Sequence, residues 1–436
     1  MMTITDLRGQ TLSPSQLLAL VPRASLDVGV AIEAATSIVD AVREHGVQAL
    51  LDQAERFDRV RPEAIRVERS AILRAVDELD PLVREALTES IARVTASSRA
   101  QVPGEQVTHP APGASIVQRW QPVSRAGVYV PGGKAVYPSS VVMNVVPAQV
   151  AGVAQIALAS PAQAEFGGSV HPAILGAAGL LGIDEVYAMG GAGAIAALAY
   201  GVESIGLAPV QVITGPGNNY VAAAKRLVQG RVGIDAEAGA TEILVIADDS
   251  ADATLVAVDL ISQAEHDEQA SAILVTDSAD FASAVDAEVA RLSPLTASAD
   301  RVRAALTGPQ STLVVVDDLA AAASFSNAYG PEHLEIQTAD DDAVLGLIDD
   351  AGAIFVGAHT PVSLGDYLAG SNHILPTGGQ ARYSSGLGAF TFLRPQQIVR
   401  YEAEPLAAVA ERLVALSGAE MLPAHGEAVS ARLRRP

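Results

Sequence analysis

The chain of 436 residues reads as an α/β protein built from two doubly wound lobes, with small extensions at its N- and C-termini. Three observations point there. From Gly127 onward, strand-like and helix-like stretches alternate through short glycine-rich connections, the pattern of βαβ units and a parallel sheet. A second series of the same kind begins after Gly239. No low-complexity linker separates the two, so the chain is expected to cross directly from lobe to lobe.

Residues 1–27 form a short leader, with Asp6 to Gly9 and then Leu17 to Val21, too poor in apolar residues to fold alone. From Ile32 to about Ala96 the pattern is helical, since Ala35, Ile38, Val39 and Val42, then Ile72, Val76, Val83 and Leu87, recur at helix spacing. Val107 to Val123 is more extended and carries the only tryptophan, Trp120. In the first series the strands are Gly127 to Pro131, Ile156 to Leu158, Glu185 to Met189 and Val210 to Ile213. The helices between and after them are Val141 to Val150, Ala173 to Leu181, Ala194 to Tyr200 and Asn219 to Leu227. The second series has strands at Glu242 to Ala247, Ala272 to Thr276, Thr312 to Val316, Leu334 to Gln337 and Ala353 to Val356. After about Gly388 the alternation stops, and a helical tail from Glu404 to Leu433 remains. The expected organisation is therefore two incomplete Rossmann-like lobes. One is a nucleotide lobe, 129–240; the other joins 28–128 to 241–387; and 388–436 is a helical tail.

Composition excludes several functions. At 49% hydrophobic and 18% charged the chain is globular, and a net charge of −22 removes nucleic acid as a partner, because phosphate binding needs clustered Lys and Arg. The one basic cluster, Arg432 to Arg435, reads as a solvated tail. Cysteine is absent, so there is no disulfide, no cysteine-based zinc site and no thiolate nucleophile. Met1 to Gln10 contains Asp6 and Arg8 and lacks the apolar core of a signal peptide. Ala135 to Ala164 carries no charge, but Pro138, Pro147, Gly152 and Pro161 interrupt it, and a buried helix followed by a buried strand is expected there in place of a membrane span. The expected location is the cytoplasm.

Glycine turns follow the strands of the first series. Gly191-Ala-Gly193-Ala-Ile-Ala196 fits G-x-G-x-x-A, yet no carboxylate stands about 20 residues further on, where a ribose acid belongs, and Glu203 comes too early. An Ala/Gly-rich helix start packed on a sheet explains it. Pro131-Gly-Gly133 and Gly215-Pro-Gly-Asn218 would let backbone N–H groups approach a phosphate or dinucleotide.

The chemistry is concentrated elsewhere. Asp252 can cap a helix over Asp252 to Ala264, and Gln263 and His266, three apart, would then share a face. A Q-x-x-H pair alone is more often a polar surface. Tyr329-Gly-Pro-Glu-His-Leu334 sets Glu332 and His333 at a strand start, an acid and a base suited to successive proton transfers; from spacing alone a surface turn fits equally. Asp366 and His373 share a polar, glycine-marked loop, and Glu420 and His425 lie near the C-terminus. Of the eight histidines, His45, His109, His171 and His359 lack such company and read as structural. Gln263, His266, Asp366 and His425 together would make a nitrogen/oxygen site for zinc or another divalent ion.

Taken together, Val130-Pro-Gly-Gly133, Gly215-Pro-Gly-Asn218, Ser262-Gln-Ala-Glu-His266, Pro331-Glu-His333, Gly365-Asp-Tyr367, Ser371-Asn-His-Ile-Leu-Pro376 and Pro423-Ala-His425 resemble histidinol dehydrogenase, in that family's order and over nearly the whole chain. The resemblance implies a zinc- and NAD-dependent, four-electron oxidation of L-histidinol to L-histidine through the aldehyde, in an intertwined homodimer. It implies that Gln263, His266, Asp366 and His425 are zinc ligands, His425 reaching across from the partner subunit. Glu332 and His333 match the catalytic pair. Thr241, His373 and Glu420 match substrate contacts, alongside His333 and the zinc ligands, and Tyr129, Gly193 and Asn218 match NAD contacts. Two positions depart from the family: Gly193, where Gln is common, and Thr241, where Ser is common. The residues leave open a dehydrogenase of the same fold acting on another alcohol, a metal-dependent hydrolase using Glu332 as base, and a two-lobed binding protein.

Overall fold

Parallel strands cannot be joined by hairpins, and in both lobes the crossovers are helices. The computed structural model describes residues 2–10, 12–23, 28–132, 135–237 and 239–434. Met1, residues 24–27 of the N-terminal extension, Gly133 of the first glycine turn and Arg435 of the basic tail lie outside the described residues.

The first lobe has a five-stranded parallel sheet in the order Val186–Ala188, Gln155–Ser160, Arg125–Tyr129, Val212–Thr214, Gly233–Ile234. The second has six parallel strands in the order Thr3–Asp6, Thr312–Val315, Ser271–Thr276, Glu242–Ala247, His333–Gln337, Ala353–Val356. Leaving aside the edge strand Thr3–Asp6, both sheets have the same winding, with the first strand central and the direction of winding reversing beside it. Alternate residues of each central strand enter different cores, as the two-residue period requires. Ala126 and Val128 join one apolar cluster and Tyr129 the other; Ile243 and Val245 are separated from Leu244 and Ile246 in the same way.

Most expected elements are present, and Ala135–Ala164 contains the buried helix Pro138–Ala151 and strand Gln155–Ser160. Among the described residues no helix is long and apolar enough to cross a membrane. Three features differ from the sequence reading. The leader supplies the edge strand Thr3–Asp6, paired with Thr312–Val315. The tail begins with a strand, Leu393–Tyr401, antiparallel to Ala114–Pro122, which in turn pairs with Gln106–Ala111. The lobe division also shifts: the helices of 28–128 bury Ala35, Val39, Leu50, Ile72, Leu87 and Val94 in the cores of the first sheet, not of the second. Their helix-spaced stripes are apolar enough for either partner, and only packing decides which.

Candidate active site

The two lobes offer opposite sheet edges to one another. In the first lobe the glycine turns follow the carboxyl ends of the strands, and Tyr129 and Thr214 end neighbouring strands at the point where the winding reverses, the usual ligand crevice of such sheets. Gly215 is required there: its φ is +119°, and a Cβ would fall 1.9 Å from the Tyr129 carbonyl oxygen. Behind it, buried Lys225 donates to Asp235 Oδ1 at 2.6 Å and to the Gly215 carbonyl at 2.5 Å, while Gly215 N donates to Asp235 Oδ2 at 2.7 Å. This brace was not legible in the motif, because its members are ten residues apart on a helix and a loop. The Tyr129 hydroxyl, pushed up to about 12 chiefly by burial, accepts from Gly191 N at 3.1 Å, at the start of the helix Gly191–Tyr200. Asn218 caps Asn219–Val228, its Oδ1 accepting from Tyr220 N and Val221 N. Gly193 lies in the first turn of Gly191–Tyr200, beneath the side chain of Gln53.

The second lobe uses its amino edge. Glu332 and His333 precede and open the strand His333–Gln337, next to Thr241 and Glu242 at the start of Glu242–Ala247. At the opposite edge of these strands, Asp248 Oδ2 accepts from Ala339 N at 2.9 Å. Glu332 Oε2 accepts from Thr241 Oγ1 at 2.6 Å and from Glu242 N at 2.9 Å. His333 Nδ1 lies 3.0 Å from the Glu242 carbonyl oxygen. A carbonyl only accepts, so Nδ1 carries the hydrogen and, in the neutral ring, Nε2 presents a lone pair. Both side chains are buried, at 7% and 5% exposure, yet neither Glu332 Oε1 nor His333 Nε2 has a hydrogen-bond partner within the described residues.

Gln263, in the last turn of the helix Ala253–Ala264 capped by Asp252, donates through Nε2 to Thr241 Oγ1 at 2.5 Å. That bond sets the amide so that Oε1 is the end left free. His266 lies two residues past the helix, just after its C-cap Glu265, and is exposed; the shared face expected of the pair is therefore a helix end and the bend that follows. Asp366, in the short helix Val362–Tyr367, presents its backbone carbonyl to His373 Nδ1 at 2.9 Å, and its carboxylate lies 3.8 Å from the same nitrogen. The other ring nitrogen of His373 meets Ser140 Oγ, from the first lobe, at 3.1 Å. Burial holds His373 below the usual histidine range, and Asp366, His333 and His266 all lie close enough to act on it electrostatically. Both nitrogens of His373 are thus engaged inside the protein, and the residue fastens the Asp366 loop to the first lobe. Asn372, donating to the Met143 carbonyl at 2.7 Å, and Thr377, accepting from Gly239 N at 2.5 Å, fasten it further.

The sequence reading missed two residues here. Glu242 is buried against Glu332 and pushed up to about 7, first by desolvation, and Arg23 of the N-terminal segment pairs with it while lying 3.9 Å from the centroid of the Tyr329 ring. Nothing local marks either; the pair joins positions 23 and 242. Glu420 and His425 remain apart: both are exposed on the hairpin formed by Ala403–Ala419 and Pro423–Leu433, and their side chains make no hydrogen bond or ion pair among the described residues. Within one chain, no group of three His, Asp or Glu residues among those described could hold a metal. His171, by contrast, caps the helix Pro172–Leu180 by accepting from Ala173 N, in line with a structural role.

Two wound lobes with an acid–base pair at the junction define an α/β enzyme. The family model for histidinol dehydrogenase matches residues 21–433. Histidinol dehydrogenase from Leifsonia xyli subsp. xyli is 67% identical over 431 residues, 99% of each chain, and that from Mycolicibacterium smegmatis is 55% identical over 437 residues, covering 100% of this chain and 98% of the other. The crystal structure of histidinol dehydrogenase from Elizabethkingia anophelis superposes with a TM-score of 0.91 at 30% identity, covering 99% of this chain and 98% of that one. The chain belongs to the histidinol dehydrogenase family and is an oxidoreductase.

Proposed function

We propose that this protein oxidises L-histidinol to L-histidine through L-histidinaldehyde, the closing steps of histidine biosynthesis, using one zinc ion per subunit and NAD. The observation that carries the reading is the hydrogen-bonded row Gln263–Thr241–Glu332, which ties an amide oxygen donor to the acid–base pair through one hydroxyl. The donor set suits zinc: Gln263 Oε1, His266 and the Asp366 carboxylate are nitrogen and oxygen ligands from one end of the second lobe. The partner subunit's His425 completes the set, and the partner's Glu420 meets the substrate. The exposed tail fits this, since Val414, Leu416, Met421 and Leu422 of the hairpin leave apolar surface uncovered, as a segment packing on a second copy would. The crevice at Tyr129, Gly215 and Asn218 suits NAD, with bare backbone and a helix start aimed at a phosphate-bearing ligand.

When bound, zinc would hold the imidazole and amine of the substrate, and NAD would accept hydride. The protein supplies the proton transfers. His333 Nε2 takes the alcohol proton as hydride leaves the carbon, and the Glu242 carbonyl keeps the ring in the required tautomer. With no cysteine the aldehyde cannot be captured by a thiolate as a thiohemiacetal, so it is hydrated. Glu332, held by Thr241 and Glu242 N on Oε2, uses Oε1 to take a proton from the attacking water. His333 returns its proton to the aldehyde oxygen as the water adds and, neutral again, takes a hydroxyl proton of the hydrate as the second hydride leaves. The whole takes place in the cytoplasm. Purified protein given L-histidinol and NAD should develop the absorbance of reduced nicotinamide; a flat trace with active-site residues intact would reject the dehydrogenase reading.

A further inference from the structure

The helix Val47–Gln53 runs without a break into a single π-helical turn, Ala54–Asp58, which Arg59 closes in the left-handed region at φ 58°. An extra residue in a helical turn and a non-glycine residue at positive φ each cost stability, and such features gather at functional sites. The turn is seated on the start of Gly191–Tyr200. A Cβ built on Gly193 would lie 2.0 Å from Gln53 Oε1, so only glycine at 193 lets the Gln53 amide rest there. Gln53 Nε2 is buried without a hydrogen-bond partner. At the far end of the same turn Asp58 is half-buried, and its carboxylate forms no hydrogen bond or ion pair with any described residue. Burial alone pushes that carboxyl up to about 6, and its charge reaches the Tyr129 hydroxyl, which receives the Gly191 N–H.

A partly desolvated carboxylate with no partner is a cost that folding does not explain, whereas a ligand hydroxyl would offset it. Its surroundings narrow the ligand. Asp58 acts on Tyr129, at the end of the central strand, and the turn that carries it rests on the helix that follows Val186–Ala188. In dinucleotide-binding sheets this half carries the ribose acid, delivered by the chain after the second strand. Here the carboxylate that follows the second strand, Glu165, is exposed on the short turn Ala164–Phe166. We propose that Asp58, brought in by the π turn from outside the sheet, accepts hydrogen bonds from the ribose diol of NAD and disfavours a ribose bearing a phosphate. Gln53 seats the turn that aims it. The inference rests on the NAD reading above and adds to it the residue that selects the cofactor.

The test is direct binding of NADH and NADPH to the full-length protein, followed by nicotinamide fluorescence, for the wild type, Asp58→Asn and Asp58→Ala, with thermal unfolding of each. Loss of a hydrogen bond to a charged group should raise the NADH dissociation constant about 10- to 100-fold and narrow the preference for NADH over NADPH by a similar factor. KM for histidinol should stay within about twofold, since the substrate's contacts are in the other lobe. Thermal stability should be unchanged or higher, because an unpaired, desolvated charge is removed; a purely structural residue would show the reverse, lower stability with unchanged cofactor preference, and that result overturns the proposal. So does NADH affinity equal to wild type in Asp58→Ala. If wild-type protein binds neither dinucleotide, the NAD reading itself fails and the inference fails with it.

Discussion

Replacing Thr241 with valine removes one hydroxyl and keeps the shape of the side chain. That hydroxyl accepts from Gln263 Nε2 at 2.5 Å and donates to Glu332 Oε2 at 2.6 Å. The bond to the carboxylate, as one to a charged group, is worth about 1.5–3 kcal/mol, and the neutral one about 0.5–1.5 kcal/mol. Glu332 keeps the Glu242 N–H at 2.9 Å, so its position is loosened and not lost. Gln263, 2% exposed, has no other orienting partner for its amide nitrogen, and without Thr241 either end of the amide can face the metal. Groups that orient a ligand in this way typically contribute about 10- to 100-fold to metal affinity. The expected result for Thr241→Val is therefore zinc affinity lower by about 10- to 100-fold, with turnover at saturating zinc lower by about tenfold. Thr241→Ser, which retains the hydroxyl, should remain within about threefold on both measures. Competition against a chromophoric zinc chelator gives the affinity, and initial rates of NADH formation give the turnover. Zinc affinity in Thr241→Val equal to wild type would refute the argument that this hydroxyl fixes Gln263 as an oxygen ligand.

Three further outcomes follow from the same geometry. His333→Asn should lower turnover by about 10²- to 10⁴-fold while zinc content, measured by atomic absorption, stays at the wild-type level; normal turnover would remove His333 Nε2 from the proton path. Mixing inactive His425→Ala with inactive His333→Asn and allowing subunits to exchange should restore about a quarter of wild-type activity, because half of the random dimers then contain one intact site; no recovery after demonstrated exchange would place His425 outside the neighbouring subunit's site. Buried Glu335 and half-buried Asp259 form a carboxyl pair, with Glu335 pushed well above the usual carboxylate range by desolvation first and the Asp259 charge second. A carboxyl that binds its proton more tightly when folded makes the native state lose stability as pH rises from the unfolded pKa toward the folded one. Glu335→Gln should therefore unfold at a higher temperature than wild type at pH 8 and lose that advantage near pH 4, as followed by calorimetry; an equal advantage at both values would contradict the assignment.

Local pattern carries some of these features and not others. Asp252 before an apolar run identifies a capped helix, and Gly-Pro before Glu332-His333 marks the strand start, because caps and corners are short-range effects. Leu393–Tyr401 escapes notice for the opposite reason. Arg394, Gln396, Gln397 and Arg400 give it the composition of a loop, and only pairing with Ala114–Pro122 makes it a strand. Thr3–Asp6 likewise becomes a strand only through Thr312–Val315, which lies about 300 residues further along the chain. In the site, Glu332 and His333 could be picked out by adjacency. Arg23 and Glu242 could not, since a buried ion pair between distant segments leaves no local mark. The Q-x-x-H spacing brought out Gln263 and His266, yet the orientation of the Gln263 amide depends on Thr241, which only the packing of the helix Ala253–Ala264 on the sheet sets beside it. A search confined to the carboxyl ends of the strands would find the Tyr129 crevice and miss Glu332 and His333, which sit at the amino edge of the other sheet.

The central claim is that histidinol oxidation in this chain needs a metal beside Glu332 and His333. Its most direct test is to strip the protein with a chelator, confirm that its fold and oligomeric state are unchanged, and titrate zinc back while counting NADH formed against histidinol consumed. The account predicts no turnover without metal, recovery in proportion to zinc up to one per subunit, and two NADH for each histidinol. Undiminished oxidation by metal-free protein would contradict it.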